Sequence, residues 1–507
     1  MFAAARTAHL RLMKRLLRRG LTRLQNPRRD HRRVRELYLR GLGVVALLSF
    51  TSLRRQLPGL LGEQGISPAS ELLAELRRRF GRARPDLVPT LFWLDASDRT
   101  LLRAARAGQV LGALLAAGVA PGPCALALTG LELSFVKVGS EFLGFQWEAL
   151  LIENLAHAAL LAPWGLRLRN DRRVSRVDVA LMRALLFRLH FESGLVKVKS
   201  RDRAWLGLEA MSSYYETAPL PSRLGWYAHH LPGGFQRAST AAALGIECGA
   251  PVLGLAWGPT RALGFALLDL LQGLIAATGN YGFFNLLTLA MNLWYLDDAQ
   301  LARALPPVRP AKRRPNRLHT LLASLGGGAV ALAGTRQLFL LTRRTRPLRW
   351  AWLRKLEQKL TPFELANAYG PFSLMTRSRP ELAVEGSDDG VTWKRYRFRY
   401  KIDDPMRAPR QVAPHQPRLD WQMWFAALDP VPPWFLRFVK RLLEGSEQVL
   451  KLLGENPFPD RPPKWVRTRL EVFRMASLPE HRKTGAWWTV QDKGEVMPPL
   501  SLRSFEA

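Results

Sequence analysis

The chain has 507 residues, with 75 Lys and Arg against 41 Asp and Glu, so its formal net charge at pH 7 is +34. About 29 of these net charges lie before Thr361, in short arginine runs beside apolar segments. This placement favours arginines that flank membrane spans and meet anionic head groups, and it disfavours a nucleic-acid-binding protein. Cys124 and Cys248 both stand inside apolar runs. Neither a disulfide framework nor a cysteine zinc site is therefore expected.

Residues 1–36 form an arginine-rich extension with almost no acidic residues. Its pattern HLRLMKRLLRRGLTRL places leucines at helical spacing with arginines between them. This pattern predicts a basic amphipathic helix on the cytoplasmic face of a membrane, and a disordered tail is the alternative. A signal peptide is excluded because the apolar core of such a peptide is missing.

Residues 37–342 hold about nine apolar runs that predict a multi-pass membrane bundle. A spanning helix needs roughly 20 apolar residues and must satisfy its own backbone hydrogen bonds. The most apolar stretch, 241–298, contains three runs separated only by turn residues. The predicted spans are 37–52, 105–120, 124–136, 142–163, 177–198, the three runs within 241–298, and 320–341.

The positive-inside rule gives this bundle an orientation. With the N-terminus inside, the basic loops around Arg172 and around Arg313 both fall on the inside. The ninth span then places the region after Thr361 on the outside. The chain therefore contacts a lipid bilayer, and its C-terminal domain faces away from the cytoplasm.

Residues 362–507 change in character and predict an α+β domain outside the membrane. Alternating residues on either side of Asp389-Gly390 indicate a β-hairpin. WFLRFVKRLLEGSEQVLKLLGENPF predicts two short helices, and RLEVFRMAS and GAWWTVQDK predict further strands. The predicted fold is thus mostly α, a polytopic helical bundle followed by a domain with a β-sandwich-like sheet.

Several blocks spread over most of the chain resemble the lipase maturation factors. In the bundle they are SLRRQLPGLLGEQGISPA, LFWLDASD, FLGFQWEALLIE, FRLHFESGLVK, YYETAPLP, WYAHHLP and TGNYGFFNLLTLAMNLWYLDD. In the C-terminal domain they are NAYGPFSLMT, EGSDDGVTWKRYRFRYK, RAPRQVAPHQPRLDWQMWFAAL, NPFPDRPPKWVR and TGAWW. On these residues the chain is identified as a member of that family.

The resemblance implies a membrane protein that helps secreted lipases fold and assemble into active dimers. Animal members reside in the endoplasmic reticulum membrane, where the C-terminal domain is thought to contact the lipase. The Ala, Leu and Arg content of this chain suggests a bacterial source. In a bacterium the membrane would be the inner membrane, and the client a lipase or another exported protein.

No enzyme motif accompanies the resemblance. The sequence has no G-x-S-x-G elbow, no H-E-x-x-H, no phosphate-binding loop and no dinucleotide fingerprint. No cofactor and no metal are expected. The alternative function is a membrane-embedded enzyme or transporter that uses charged residues inside the membrane.

That alternative rests on ionisable residues within or near the predicted spans. Such residues are costly in a bilayer and face one another or a wet cavity. Opposite charges that pair between helices are the structural explanation, and a cavity for proton transfer or a small substrate is the functional one. The candidate intramembrane site is Glu148, Glu153, Arg183, Arg188 and Glu247.

Two further groups are candidates for contacts outside the membrane. The outward loop offers Tyr214, Tyr215, Glu216, His229 and His230, for which loop anchoring or binding is favoured over a shared metal. The C-terminal domain offers His415, Arg418, Asp420, Trp421 and Trp424. If these residues are exposed, they have the composition of an interface hot spot. As a core, the tryptophans fill the domain, and Asp420 pairs with Arg418 or caps the helix that begins at Trp421.

Overall fold

The computed structural model describes residues 30–168, 172–306, 315–342, 351–428 and 431–506. The amphipathic helix predicted within residues 1–36 lies outside these residues, apart from its last seven positions. Arg32 already belongs to the first long helix, Arg32–Leu60. The prediction for the extension therefore stays a prediction.

The described residues of the first part of the chain form a bundle of helices. Short 3-10 turns occur at Leu91–Trp93, Leu293–Tyr295 and Thr361–Phe363, and a π turn at Ala323–Gly327. The helices of this helical bundle are Arg32–Leu60, Ala69–Phe80, Asp98–Ala117, Pro121–Leu143, Gln146–Leu161, Arg176–Lys199, Arg203–Leu206, Ala210–Thr217, Arg223–His229, Gly233–Leu255, Gly258–Thr278, Phe284–Asn292, Asp298–Leu301, Arg317–Leu322, Gly328–Thr342 and Ala351–Leu360.

Four helical segments are long and apolar enough to cross a membrane: Arg32–Leu60, Gly233–Leu255, Gly258–Thr278 and Arg317–Arg336. The third apolar run within 241–298 was predicted to be a membrane span, and the structure corrects this prediction. It forms the nine-residue helix Phe284–Asn292. At about 1.5 Å per residue such a helix is roughly 14 Å long, about half the thickness of a bilayer core.

The predicted span 142–163 is also corrected, because the chain breaks within it. One helix ends at Leu143 and the next begins at Gln146. Gly144 lies in the break, and the second helix carries Glu148 and Glu153. The break places the start of the second helix beside the C-terminal region of the chain.

The first long helix is held in the bundle by a cap and by a close packing contact. The Asp298 carboxylate accepts the backbone N–H groups of Arg32 and Arg33 at 3.0 Å, satisfying donors that a helix start leaves unpaired. A Cβ at Gly43 would lie 2.3 Å from the backbone nitrogen of Ala116. Glycine therefore lets helices Arg32–Leu60 and Asp98–Ala117 approach backbone to backbone, as small residues do between membrane helices.

The C-terminal region (residues 364–506) contains one antiparallel sheet in the order β2-β1-β3-β4. The strands are β1 Arg379–Ser387, β2 Lys394–Arg395, β3 Trp465–Met475 and β4 Trp488–Leu500. The helices are Arg418–Ala426, Pro433–Leu443, Glu447–Leu450 and Leu478–Thr484, with a 3-10 turn at Leu502–Phe505. The predicted β-sandwich-like arrangement is corrected. Helices cover this sheet, and the described residues form no second sheet.

The predicted hairpin is confirmed. Glu385 of β1 pairs with Arg395 of β2, and Gly390 in the turn has a φ of +76°, which favours glycine. The Asp389 carboxylate accepts the backbone N–H groups of Val391 and Thr392 at 2.8 and 2.7 Å. These bonds hold the pKa of Asp389 well below its ordinary value. The two predicted short helices and the two later strands are confirmed as well.

Candidate functional site

A buried ion pair joins the C-terminal region to the helical bundle. Nη1 of Arg418 lies 2.6 Å from Oε1 of Glu148, and neither side chain is exposed. The same Nη1 donates to the carbonyl of Phe142 at 2.8 Å, at the end of the helix that precedes the break. The break therefore supplies both a carboxylate and a free helix carbonyl to one guanidinium.

Around this pair, polar groups of the first helix bind the backbone of the C-terminal region. Gln56 donates through Nε2 to the Gln416 carbonyl and accepts through Oε1 from the Arg418 N–H, both at 2.8 Å. The Gln416 N–H donates to Oγ of Ser52 at 3.0 Å, and its side-chain oxygen accepts the Trp147 indole N–H at 2.8 Å. The contact is thus specific as well as buried. We call these residues the Arg418 junction.

His415 and Asp420 also belong to this junction. Nδ1 of His415 lies 2.8 Å from Oγ of Ser52. Burial, followed by the positive charges of Arg55 and Arg418, lowers the pKa of His415 to about 4. Asp420 accepts the backbone N–H groups of Tyr400 and Lys401 at 2.8 and 2.9 Å, and burial raises its pKa to about 6.

The structure therefore brings His415, Arg418 and Asp420 together with Trp421 and Trp424 on one short helix and the turn before it. Asp420 neither pairs with Arg418 nor caps a helix beginning at Trp421, since the helix begins at Arg418 and the carboxylate binds the 400–401 backbone. Trp421 is 2% exposed and Trp424 is 8% exposed. Trp421 packs on Trp147 of the bundle, with ring centroids 5.0 Å apart. The choice between an interface and a core role for the two tryptophans stays a prediction.

A second junction lies where Tyr369 enters the bundle. Its hydroxyl donates to Oε2 of Glu153 at 2.7 Å, and its N–H donates to Oε2 of Glu192 at 2.8 Å. Glu153 also receives Nη2 of Arg188 at 2.6 Å. Arg183 donates through Nε to the Trp294 carbonyl at 2.8 Å, and its Nη2 lies 3.1 Å from Nε2 of His31. The intramembrane candidates thus pair in separate places and do not converge on one cavity.

The outward loop is a third contact with the C-terminal region. Oε2 of Glu216 accepts the Met475 N–H at 2.8 Å, and Nε2 of His230 lies 2.9 Å from the Ala476 carbonyl oxygen. Nε2 of His229 lies 3.9 Å from Oε2 of Glu216, which is too far for a hydrogen bond. The described residues contain no group of three metal-ligating side chains. These contacts agree with loop anchoring, while Tyr214 and Tyr215 turn toward a cavity described below.

Asn280 is a junction residue that the sequence reasoning did not single out. Its side chain donates to the carbonyls of Leu220 and Arg410 at 3.0 and 2.8 Å, and it accepts from the N–H groups of Val412 and Ala413 at 2.6 and 2.9 Å. An amide is suited to this position because it both donates and accepts. The signal was the block TGNYG, which stood out only as a membrane segment.

A cavity of about 680 Å³ lies between the bundle and the C-terminal region. Its walls are mostly apolar and include Trp421, Trp424 and Tyr214. Among the described residues that line it, Nζ of Lys197 binds both carboxylate oxygens of Glu247 at 2.7 and 2.6 Å. Glu247 was a sequence candidate, whereas Lys197 was missed because it stands near the end of a helix, where a lysine is ordinarily solvated.

Comparison with known proteins places these features in a family. The lipase maturation factor transmembrane domain matches residues 33–303, and the lipase maturation factor C-terminal domain matches residues 365–498. The chain belongs to the lipase maturation factor family. The matches cover the bundle as far as residue 303 and most of the C-terminal region, and so include both sides of the Arg418 junction.

Individual lipase maturation factors are similar over almost the whole chain. Lipase maturation factor 2 of Homo sapiens is 34% identical, covering 92% of this chain and 82% of its own length. Lipase maturation factor 2 of Rattus norvegicus is 33% identical, with 92% and 83% covered. Lipase maturation factor 1 of Homo sapiens is 31% identical, with 93% and 88% covered. No solved structure matches.

As a lipase maturation factor, the chain is an integral membrane protein with a maturation role. Its family is not one of known enzymes. The charged residues that favoured an enzyme or transporter are mostly paired with one another or with the C-terminal region. The geometry therefore supports a bundle built to hold a domain in a fixed position.

Proposed function

We propose that this chain assists the folding and assembly of a secreted lipase or a related exported protein. The names of its relatives supply the client class. The observation that carries the proposal for this chain is the Arg418 junction, since a buried ion pair fixes the C-terminal region on the membrane bundle. A domain held in this way presents one defined surface to a client as the client emerges from the membrane.

The boundaries and the orientation are part of the proposal. Residues 1–36 form a basic extension on the cytoplasmic face, 37–342 the multi-pass membrane domain, and 362–507 the outward domain. In a bacterial cell this is the inner membrane with a periplasmic domain. In animal relatives it is the endoplasmic reticulum membrane with a luminal domain.

We assign the candidate residues of the C-terminal domain an indirect part in client binding. His415, Arg418 and Asp420 hold the domain on the bundle, and Trp421 and Trp424 are buried beneath it. Residues Tyr214, Tyr215, Glu216, His229 and His230 support the same arrangement from the outward loop. The client surface then lies on the outer side of the sheet, where strand β4 is largely exposed along its length.

One observation favours the second candidate function, a membrane enzyme or transporter. The Lys197–Glu247 pair lines a cavity, as a substrate site would require. Glu148, Glu153 and Arg188 lie in packed ion pairs instead, and Arg183 binds a backbone carbonyl. Most of the proposed intramembrane site therefore serves structure, and we favour the maturation role.

The proposal is tested by co-expressing the chain with a secreted lipase in cells that lack their own maturation factor. The specific activity and dimer fraction of the exported lipase are measured with the wild-type chain and with two variants. We expect Arg418→Met to reduce both severalfold, whereas Arg78→Met, at a side chain that is 74% exposed, leaves them unchanged. Lipase activity that does not depend on the chain would overturn the proposal.

The double variant Lys197→Met/Glu247→Gln separates the two candidate functions. It removes both charges of the cavity without leaving one unpaired. A maturation factor retains its effect on the lipase in this variant, provided that the protein remains folded. Loss of the effect in a folded protein would favour the enzyme or transporter.

A further inference from the structure

The cavity between the bundle and the C-terminal region is elongated along one helix. Phe235, Ser239, Ala243 and Glu247 all line it and are spaced by four residues, so they share one face of helix Gly233–Leu255. From Phe235 to Glu247 this face is about 18 Å long at roughly 1.5 Å per residue. The small side chains of Ser239 and Ala243 leave the space between the two ends.

The outer end of the cavity is apolar and exposed. Leu231, Phe235 and Leu274 line it, and they are 41%, 51% and 56% exposed. They stand at the adjoining ends of two helices that are able to span a membrane, Gly233–Leu255 and Gly258–Thr278. An exposed apolar opening beside two such helices is suited to the entry of a lipid chain from the side.

The wall formed by the C-terminal region carries hydrogen-bond donors that the protein leaves unused. The indole N–H groups of Trp421 and Trp424 are buried, and neither has an acceptor among the described residues. The Tyr281 hydroxyl donates to the Tyr214 hydroxyl at 2.7 Å, so this pair of cavity-lining groups has one further proton to donate. Buried donors ordinarily find partners, and these would be satisfied by oxygen acceptors of a ligand.

The charge of the cavity is balanced. Nζ of Lys197 binds both carboxylate oxygens of Glu247, with side chains that are 6% and 11% exposed. A charged head group would have to break this buried pair and leave one member uncompensated, which is costly. A neutral head group with carbonyl, ester or hydroxyl oxygens meets the free donors without that cost.

We propose that this cavity binds one neutral amphipathic lipid, with its acyl chain along the face from Phe235 to Glu247 and its oxygen-bearing head against Trp421 and Trp424. A monoacylglycerol has this chemistry. The size of the cavity lies within the range of about 300–1,000 Å³ that is usual for small-ligand sites. Its mostly apolar wall with a few polar groups is also typical of such sites. The site does not depend on the client proposed above.

The test uses the full-length protein in phosphatidylcholine nanodiscs and a monoacylglycerol with a photoactivatable diazirine in its chain. After illumination, the labelled peptides are identified by mass spectrometry. We expect saturable labelling of peptides that contain cavity residues, suppressed by excess 1-oleoylglycerol. Labelling that excess 1-oleoylglycerol leaves unchanged would mean contact with bulk lipid only and would overturn the proposal.

Two matched variants on the same helix show whether the cavity is the site. Ala243→Trp fills it, whereas Ala241→Trp adds the same side chain at an exposed position that does not line it. We expect labelling to fall about tenfold in the first and to be unchanged in the second, as steric exclusion from a pocket requires. Should Ala243→Trp fail to fold, Ser239→Leu is the smaller filling variant. Equal labelling of folded filled and unfilled proteins would overturn the proposal.

The nature of the head group is tested by two further measurements. Trp424→Phe removes one donor and keeps the aromatic ring, so affinity should fall about fivefold, as the loss of one hydrogen bond predicts. Lysophosphatidylglycerol, which has a charged head, should compete at least tenfold less well than 1-oleoylglycerol. Equal competition by the charged lipid would contradict a neutral-lipid site.

Discussion

Arg418 and Glu148 stand 270 positions apart in the chain, yet their side chains meet at 2.6 Å with no exposed surface. One belongs to the C-terminal region and the other to the helix that begins after the break at Gly144. Their ion pair makes the bundle and the C-terminal region one structural unit.

Arg418→Met should destabilise the protein by about 3–5 kcal/mol, because it leaves the Glu148 carboxylate buried without its cation. The expected result is a lower thermal unfolding midpoint and faster hydrogen exchange in residues 410–426. Arg418→Met/Glu148→Gln should recover much of the loss, since no uncompensated charge remains. A single variant as stable as the wild type would show that the pair does not hold the junction.

Gly334→Ala should be destabilising by about 1–3 kcal/mol, the usual cost of overpacking a filled site. A Cβ there would lie 1.8 Å from Nη1 of Arg188, and Arg188 cannot turn aside because Glu153 holds it at 2.6 Å. The control is Gly328→Ala in the same helix, where a Cβ meets nothing within 4 Å. Thermal unfolding in detergent compares the two, and equal midpoints would contradict the packing argument.

Asn280→Ala should loosen the attachment of residues 410–413 by about 2–3 kcal/mol, because the three hydrogen bonds that Asn280 makes to this segment, of roughly 1 kcal/mol each, are lost. Hydrogen exchange of the peptide around Val412 measures the effect. Gln411→Ala is the matched control, since Gln411 is exposed and its two bonds are longer, at 3.2 and 3.3 Å. Similar hydrogen exchange in both variants would show that Asn280 does not hold residues 410–413 in place.

His415 should make the junction weaker in acid. Its pKa is about 4 in the folded protein, below the ordinary value of 6.5, chiefly because of burial. Between these values the unfolded chain binds a proton that the folded protein does not, so the stability that neutral His415 contributes is lost as the pH falls from 6.5 toward 4.

His415→Gln provides the comparison for this pH dependence. The unfolding midpoint of the wild type should fall more steeply than that of the variant between pH 7 and pH 5. Asp420, whose pKa is raised to about 6, is present in both proteins and cancels in the difference. Parallel curves for the two proteins would show that His415 does not titrate with the junction.

Much of the fold could be predicted from local patterns. The apolar runs became the helices Gly233–Leu255 and Gly258–Thr278, and the Asp389-Gly390 turn became a hairpin. These features depend on periodicity and turn chemistry, which are properties of neighbouring residues. The helix Phe284–Asn292 was mistaken for a span because an apolar run buried inside a protein resembles one buried in lipid.

The use of the charged residues could not be predicted in the same way. The sequence identified Glu148, Glu153 and Arg188 as costly inside a membrane, but it gave no sign that Arg418 and Tyr369 of the C-terminal region would meet the two carboxylates. Lys197 and Asn280 were missed for the same reason. The partner of a buried polar group is set by which distant segments pack together.

The amino-acid sequence by itself therefore determined that this protein is an integral membrane bundle of the lipase maturation factor family with a mixed α and β C-terminal domain. This was possible because the length of an apolar run, the residues of a turn and the motifs of a family are all properties of residues that are adjacent in the sequence. Only the tertiary structure decided that the C-terminal region is held on the bundle by buried ion pairs, with a cavity between them. The physical reason is that desolvated charges and unpaired donors have meaning only in relation to the groups that surround them in space.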